Sequence, residues 1–218
     1  MINSFNRRYF MKLVLSYVFI FFVGFHVQAQ AQKLFKSSFK EQNHELVEYY
    51  DPVNNIYSNY KYNIAFDGPN DWTKDQGLSK HTIYRTYQAD SAITFSINII
   101  ELNENEDLKH DIWQFYQHNK EVIDETSINA IESQINRKLD DYYTEKTYIK
   151  NKVALKKRMK YLLREQDFEY YITSLSQQVL INRTMYTFGL ELPTIFYEAN
   201  KSYYDDLYLG ISFLPETK

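Results

Sequence analysis

The sequence predicts an α+β domain built on an antiparallel sheet. Two observations predict it. Runs of alternating apolar and polar residues recur along the chain and are joined by tight polar turns, the pattern of half-buried strands in hairpins. After Asp107 and again after Glu198 the apolar spacing becomes helical, near three and four residues.

The N-terminus is unlike the rest of the chain. Arg7, Arg8 and Lys12 precede an apolar run from Leu13 to Val27, and small and polar residues follow at Gln28-Ala29-Gln30-Ala31-Gln32. This order is that of a secretory signal peptide over residues 1–31. The run of about 15 residues is short of the roughly 20 that span a bilayer. Cleavage after Ala29 or Ala31 is expected, and the alternative is an uncleaved N-terminal anchor. No cysteine is present, which excludes lipidation at the cut and disulfides in the fold. Loss of the three N-terminal cations takes the net charge from −3 to about −6. A mildly acidic domain has no general electrostatic reason to bind nucleic acid.

Residues 32–57 are polar with scattered aromatics and read as a loosely organised lead-in, leaving 58–218 as a single domain. A first strand is expected from Tyr60 to Phe66, ending at the turn signal Asp67-Gly68-Pro69-Asn70-Asp71, with Trp72 next. His81–Tyr87 and Ala92–Leu102 form a hairpin. Ile93, Phe95, Ile97 and Ile99 share one of its faces, and Thr94, Ser96 and Asn98 the other. Helical spacing then joins Leu108, Ile112, Phe115, Tyr116, Val122 and Ile123, with Asn105 as N-cap. A second helical pattern follows at Ile128, Ile131, Ile135 and Leu139, with Ser127 as cap. The two form one bent helix or two.

Residues 153–164 fit strand or helix, and the turn at Asn151-Lys152 favours strand. Tyr171–Ile181 and Tyr186–Leu192 alternate around a tight turn at Asn182-Arg183. Glu198 to Phe213 reads as a closing helix with Tyr204, Leu207, Tyr208 and Ile211 inward.

The segment Tyr62-Asn63-Ile64-Ala65-Phe66-Asp67-Gly68-Pro69-Asn70-Asp71-Trp72, the strand Tyr186-Thr187-Phe188-Gly189-Leu190 and the closing Tyr204–Phe213 stretch, in this order, resemble the PsbP-like fold. That superfamily includes the extrinsic protein of the oxygen-evolving photosystem, a Ran-binding import factor and secreted bacterial proteins. The resemblance covers about residues 58–215 and rests on turn and core features. It implies an antiparallel sheet flanked by helices on both faces, an α/β/α sandwich. It also implies a scaffold that binds other proteins, and it transfers no catalytic residue.

Residue chemistry adds little to this. His110 and His118 stand eight residues apart, about 12 Å along a helix, too far for one metal ion. No HExxH, phosphate loop or GxSxG sequence occurs. Asp107 and Asp111 are read as first-turn carboxylates complementing a helix dipole rather than as an acid/base pair. Asp140-Asp141 and Asp205-Asp206 are read as solvated. Ser174 and Ser176 have no base near them in sequence. No cofactor is implied.

The most concentrated charge is Lys156, Arg158, Lys160 and Arg164, with Lys150, Lys152 and Lys157 nearby. On a strand, the first four line one face. That face would contact an acidic partner, an anionic lipid or a polyanionic glycan, or simply discourage edge pairing. The expectation is an exported, non-enzymatic domain, periplasmic or extracellular, binding a protein partner in the cell envelope. It would meet the membrane only through an uncleaved N-terminal segment. The alternatives are an envelope hydrolase with a dispersed site and a glycan- or small-ligand-binding module.

Overall fold

A computed structural model describes residues 38–42, 45–75, 79–88, 91–102, 111–165 and 168–215. Residues 1–31, expected from the sequence to be a signal peptide, and Asn105, Asp107, Leu108, His44 and His110 lie outside the described residues. Two antiparallel sheets form. The larger has seven strands in the order β5 (Thr73–Asp75), β6 (Thr82–Gln88), β7 (Ile93–Glu101), β11 (Thr184–Pro193), β10 (Phe168–Ile181), β9 (Lys152–Glu165), β8 (Asp141–Ile149). The smaller has five, in the order β1 (Ser38–Gln42), β2 (Glu45–Asp51), β3 (Ile56–Asn59), β4 (Ile64–Asp67), β12 (Ile211–Phe213).

Helices α1 (Ile112–His118) and α2 (Lys120–Ile135) pack on one face of the large sheet. Helices α3 (Thr194–Ala199) and α4 (Lys201–Asp206) pack on the other, beside the small sheet. The expected antiparallel sheet with helices on both faces is present. The second sheet was not expected.

The hairpin turns follow from residues that tolerate a left-handed backbone. Asn182 and Arg183 both have positive φ, 44° and 66°, which makes the two-residue turn whose twist matches its flanking strands. Lys150 has φ 53° and opens the two-residue β8–β9 turn. Residues 152–165 are a strand, as that turn requires.

Several sequence expectations need correction. Residues 38–51, read as a loose lead-in, pair as β1 and β2 of the small sheet. Their polar composition hid the period, and strand pairing satisfies their backbone groups regardless of composition. The strand expected at Tyr60–Phe66 is a turn followed by β4, because Asn63 takes φ 51° and reverses the chain. The closing helix is two short helices and a single 3-10 turn (Leu207–Gly210), after which Ile211–Phe213 pairs with β4. Tyr204, Leu207, Tyr208 and Ile211 are buried all the same. The break between α1 and α2 falls at Asn119, and Ser127 is a buried mid-helix residue rather than a cap.

Tyr57, Ile64, Phe66 and Ile211 of the small sheet meet Tyr84, Phe95, Ile97 and Phe188 of the large one in a single apolar layer. Phe66 stacks on Phe95 with ring centroids 4.5 Å apart. The Gly68-Pro69 turn is locked into this layer by buried Asn55. Its Nδ2 donates to the Pro69 carbonyl at 2.7 Å, and its Oδ1 accepts from the Tyr84 and Tyr50 hydroxyls at 2.8 and 3.2 Å. A Cβ on Gly68 would stand 2.6 Å from that amide nitrogen. The turn that carries the family resemblance is therefore a packing device.

Candidate functional site

Lys156, Arg158, Lys160 and Arg164 alternate along β9 and share a face, because side chains two apart in a strand point the same way. Each meets a carboxylate. Lys156 lies 3.2 Å from Glu145 and 3.6 Å from Asp205, Arg158 lies 2.8 Å from Asp141, Lys160 lies 3.7 Å from Glu198, and Arg164 pairs with Glu169. The stripe is a mixed-charge ladder, not a bare cationic surface. Tyrosines are interleaved with it. Arg158 sits 5.5 Å from the Tyr143 ring centre, and Lys160 sits 4.9 Å from that of Tyr171. Tyr143 and Tyr171 are 44% and 41% exposed, and Tyr143 belongs to β8, the outer strand of the large sheet. Cation–π contacts hold these rings and guanidinium or ammonium groups together at the surface.

Lys157 points the other way, under the helices. It is 7% exposed, its Nζ lies 3.5 Å from Ser127 Oγ, and burial lowers its pKa to about 8 against the pull of Asp124. Asp124 accepts from Tyr116 at 3.0 Å and Tyr142 at 2.8 Å, and pairs with Lys120. This cluster fastens α2 to β8 and β9.

From Lys157 a polar row runs across the helix-side face of five strands. Directly opposed residues share a face in antiparallel pairs. The pairings place Lys157 beside Ser176, Ser176 beside Gly189, Gly189 beside Ser96, and Ser96 beside Arg85. The next row along the strands carries Ser174, Glu191 and Thr94. The row separates two apolar clusters beneath the helices, one around Leu155, Met185 and Tyr116, the other around Met159, Tyr161 and Ile172.

Glu191 is 7% exposed, and Tyr161 donates to its Oε1 at a long 3.4 Å. Burial raises its carboxyl to about 8, with Arg85 pulling the other way. Arg85 is itself bound to Asp75. Ser174 Oγ is buried without a hydrogen-bond partner. Sequence reading saw the two serines but not Glu191. The one available signal was the set Thr187, Gly189 and Glu191, interleaved with the apolar residues of a central strand. That set reads as solvent-facing until helices are known to lie over the same face.

The other sequence candidates resolve simply. Asp111 caps α1, accepting from the Gln114 backbone N–H at 2.8 Å. His118 Nδ1 lies 2.8 Å from the Gln114 carbonyl on the exposed helix surface. Asp141 and Asp205 are in ion pairs. Among the described residues no three acidic or histidine side chains gather at metal-binding distance, and no helix is long and apolar enough to cross a membrane.

No protein-family model and no curated protein sequence matches this chain. Solved structures of similar fold are found. Cyanobacterial PsbP (CyanoP) from Synechocystis sp. PCC 6803 is 19% identical over 72% of this chain and 91% of that one, with a TM-score of 0.49. LpqN of Mycobacterium tuberculosis, described as involved in cell envelope biogenesis, is 8% identical over 70% and 83%, at 0.44. The Ran-binding protein Mog1p of Saccharomyces cerevisiae is 8% identical over 71% and 92%, at 0.42. Each is a low-identity likeness of fold, and no residue role passes from these proteins to this chain.

Proposed function

We propose that this chain is an exported, non-enzymatic binding domain of the cell envelope that docks a protein partner along the β8–β9 margin of its large sheet. One observation carries the reading. Tyr143 and Tyr171 stand exposed there, each beside a cation of the β9 ladder. Tyrosine and arginine are the residues that most often dominate protein interfaces, because they bring large contact area at low entropic cost. The carboxylates paired with these cations remove the electrostatic pull on a polyanion. They favour a partner surface that is itself polar and mixed in charge.

The test compares partners cross-linked to the mature domain in its native envelope with those of a Tyr143→Ser/Arg158→Ser variant, identified by mass. Val53→Ser, at an exposed site in the β2–β3 turn, serves as the control. The expected result is one or more partners lost in the double variant and kept in the control, with both variants folded by circular dichroism. Identical partner sets in all three proteins would overturn the reading.

A further inference from the structure

We propose that β8 is a self-association edge, at which a second copy of this chain adds its own β8 antiparallel and joins two seven-stranded sheets into one. β8 is the outer strand of the large sheet and is nine residues long, and among the described residues no strand pairs with its outer side. Its register with β9 is unbroken from Asp141 to Ile149, and it contains no proline. Sheet edges are commonly protected by bulges, prolines or shortness. The opposite edge of the same sheet follows that rule, since β5 has three residues. β8 has none of these protections.

The hairpin fixes which backbone groups are on offer. Ile149 and Lys152 are the hydrogen-bonded pair that closes a two-residue turn, so the odd-numbered residues of β8 bond to β9. The N–H and C=O groups of Tyr142, Thr144, Lys146 and Tyr148 therefore face outward. Two antiparallel copies share a two-fold axis normal to the sheet. Because opposed residues share a face, that axis passes through a residue rather than between two.

Charge selects the residue. An axis at Glu145 opposes two carboxylates, one at Lys146 opposes two ammonium groups, and one at Tyr143 sets Asp141 against Glu145. Axes nearer either end pair shorter stretches. An axis at Thr144 opposes Thr144 with itself, Tyr143 with Glu145, Tyr142 with Lys146 and Asp141 with Thr147, and no like charges meet. Tyr143 already donates to Glu145 of its own strand at 3.0 Å. Across the axis these side chains close a ring in which each tyrosine lies between two carboxylates. Lys156 and Arg158, one strand further in, balance the charge.

There is room for the second copy. Helices α1 and α2 pack on Leu155, Met159, Tyr161 and Ile172 of β9 and β10. The two copies of β9 would stand three strand spacings apart, roughly 14 Å, wider than the about 10–12 Å of a helix. On the other face α3 lies over β10 and β11, further back still. The pairing uses the backbone of the edge, whereas the docking reading uses the Tyr143–Tyr171 face, and the dimer sets two such faces side by side. The two readings fail separately, because self-association is measured on the pure protein with no envelope partner present.

The test is sedimentation velocity on the protein purified from its own cells, from about 1 to 200 µM, a range that covers weak dimers. The expected result is a monomer–dimer equilibrium. Lys146→Pro should weaken the dimer about tenfold or more, the effect of two symmetry-related hydrogen bonds lost, with circular dichroism unchanged. Proline there removes an N–H that points away from β9, which edge strands tolerate. The chain has no cysteine, so single introduced thiols report the register. In Thr144→Cys the paired Cα atoms would lie about 5.5 Å apart, within reach of a disulfide. In Tyr148→Cys they would lie about 27 Å apart, although Tyr148 is 60% exposed. Copper-phenanthroline oxidation in air should therefore give a covalent dimer with the first variant and not with the second. A monomer at every concentration overturns the inference. So does a dimer that folded Lys146→Pro leaves intact, or a disulfide that forms as readily in Tyr148→Cys as in Thr144→Cys. If Lys146→Pro does not fold, the thiol pair decides alone.

Discussion

The two faces of the seven-stranded sheet are built differently from the same strands. One is an unbroken aromatic and aliphatic layer shared with the small sheet, where Phe66, Phe95, Tyr84 and Phe188 interlock. Asn55 and the Tyr57 hydroxyl set into it are hydrogen-bonded, whereas Trp72 Nε1 and Gln177 Oε1 on the same side are buried without a partner. The other face has two separate apolar clusters with Lys157, Ser176, Ser174 and Glu191 between them. The first face is organised for stability. The second gives stability up in its middle, since the buried ionisable groups Lys157 and Glu191 disfavour the folded state. Strand alternation makes this division of labour available, because neighbouring residues serve opposite faces.

Substitutions can break or sharpen that contrast. The largest effect is expected from Phe95→Ala on the aromatic face. Removal of a fully buried ring stacked on Phe66 should destabilise the domain by about 4 kcal/mol in denaturant titrations. A loss under about 1 kcal/mol would show that the layer is not the main source of stability. Asn55→Ala should cost about 3 kcal/mol, since it leaves the Pro69 carbonyl and two tyrosine hydroxyls without their partner.

On the helix side the sign reverses. The Glu191 carboxyl is raised to about 8 in the folded protein. The folded state therefore binds more protons than the unfolded one between about pH 4.5 and 8, and stability falls as pH rises through that window. Glu191→Gln should match the wild type near pH 4 and exceed it by a few kcal/mol above pH 8, because a tenfold change in proton affinity on folding is worth about 1.4 kcal/mol. Equal pH profiles would mean that Glu191 is solvated. Lys157, lowered to about 8, acts in the opposite sense. Stability should rise between about pH 8 and 10.5, and Lys157→Met should abolish that rise while stabilising the protein at pH 7 by about 2 kcal/mol. The smallest effect is expected at the surface ladder. Arg158→Ala, read by thermal melting, should change stability by less than about 1 kcal/mol, since its pair with Asp141 is partly exposed.

The aromatic face was largely legible in the sequence. The alternation of Ile93, Phe95, Ile97 and Ile99, and of Tyr186, Phe188, Leu190 and Leu192, places those residues in the core they occupy. The turn at Asn182-Arg183 and the strand over 153–164 were legible for the same reason, a local period bounded by turn residues. The small sheet was not. Its strands are short, β1 and β2 are polar, and β12 follows directly on a 3-10 turn, so pairing across the chain decides them rather than local pattern. The polar row was invisible because it exists only in register. Lys157, Ser176, Gly189, Ser96 and Arg85 belong to five strands, and nothing in their spacing announces that they become neighbours. The ladder on β9 was found as charge, but its neutralisation by Glu145, Asp141, Glu198 and Glu169 depends on β8, β10 and α3 lying where they do.

Strand β12 gives the small sheet a particular history. Ile211, Ser212 and Phe213 pair with Phe66, Ala65 and Ile64, strands separated by most of the chain's length. A chain that emerges with its N-terminus first has β1 to β4 in hand long before β12 arrives. Until then β4 has a bare edge, and the aromatic layer above Phe66 lacks Ile211 and Tyr208. Such long-range closure is slow, and open edges are where other chains add. The small sheet can therefore be completed only after nearly all of the described chain has emerged, so its closing strand sets the moment at which the last open edge of β4 disappears.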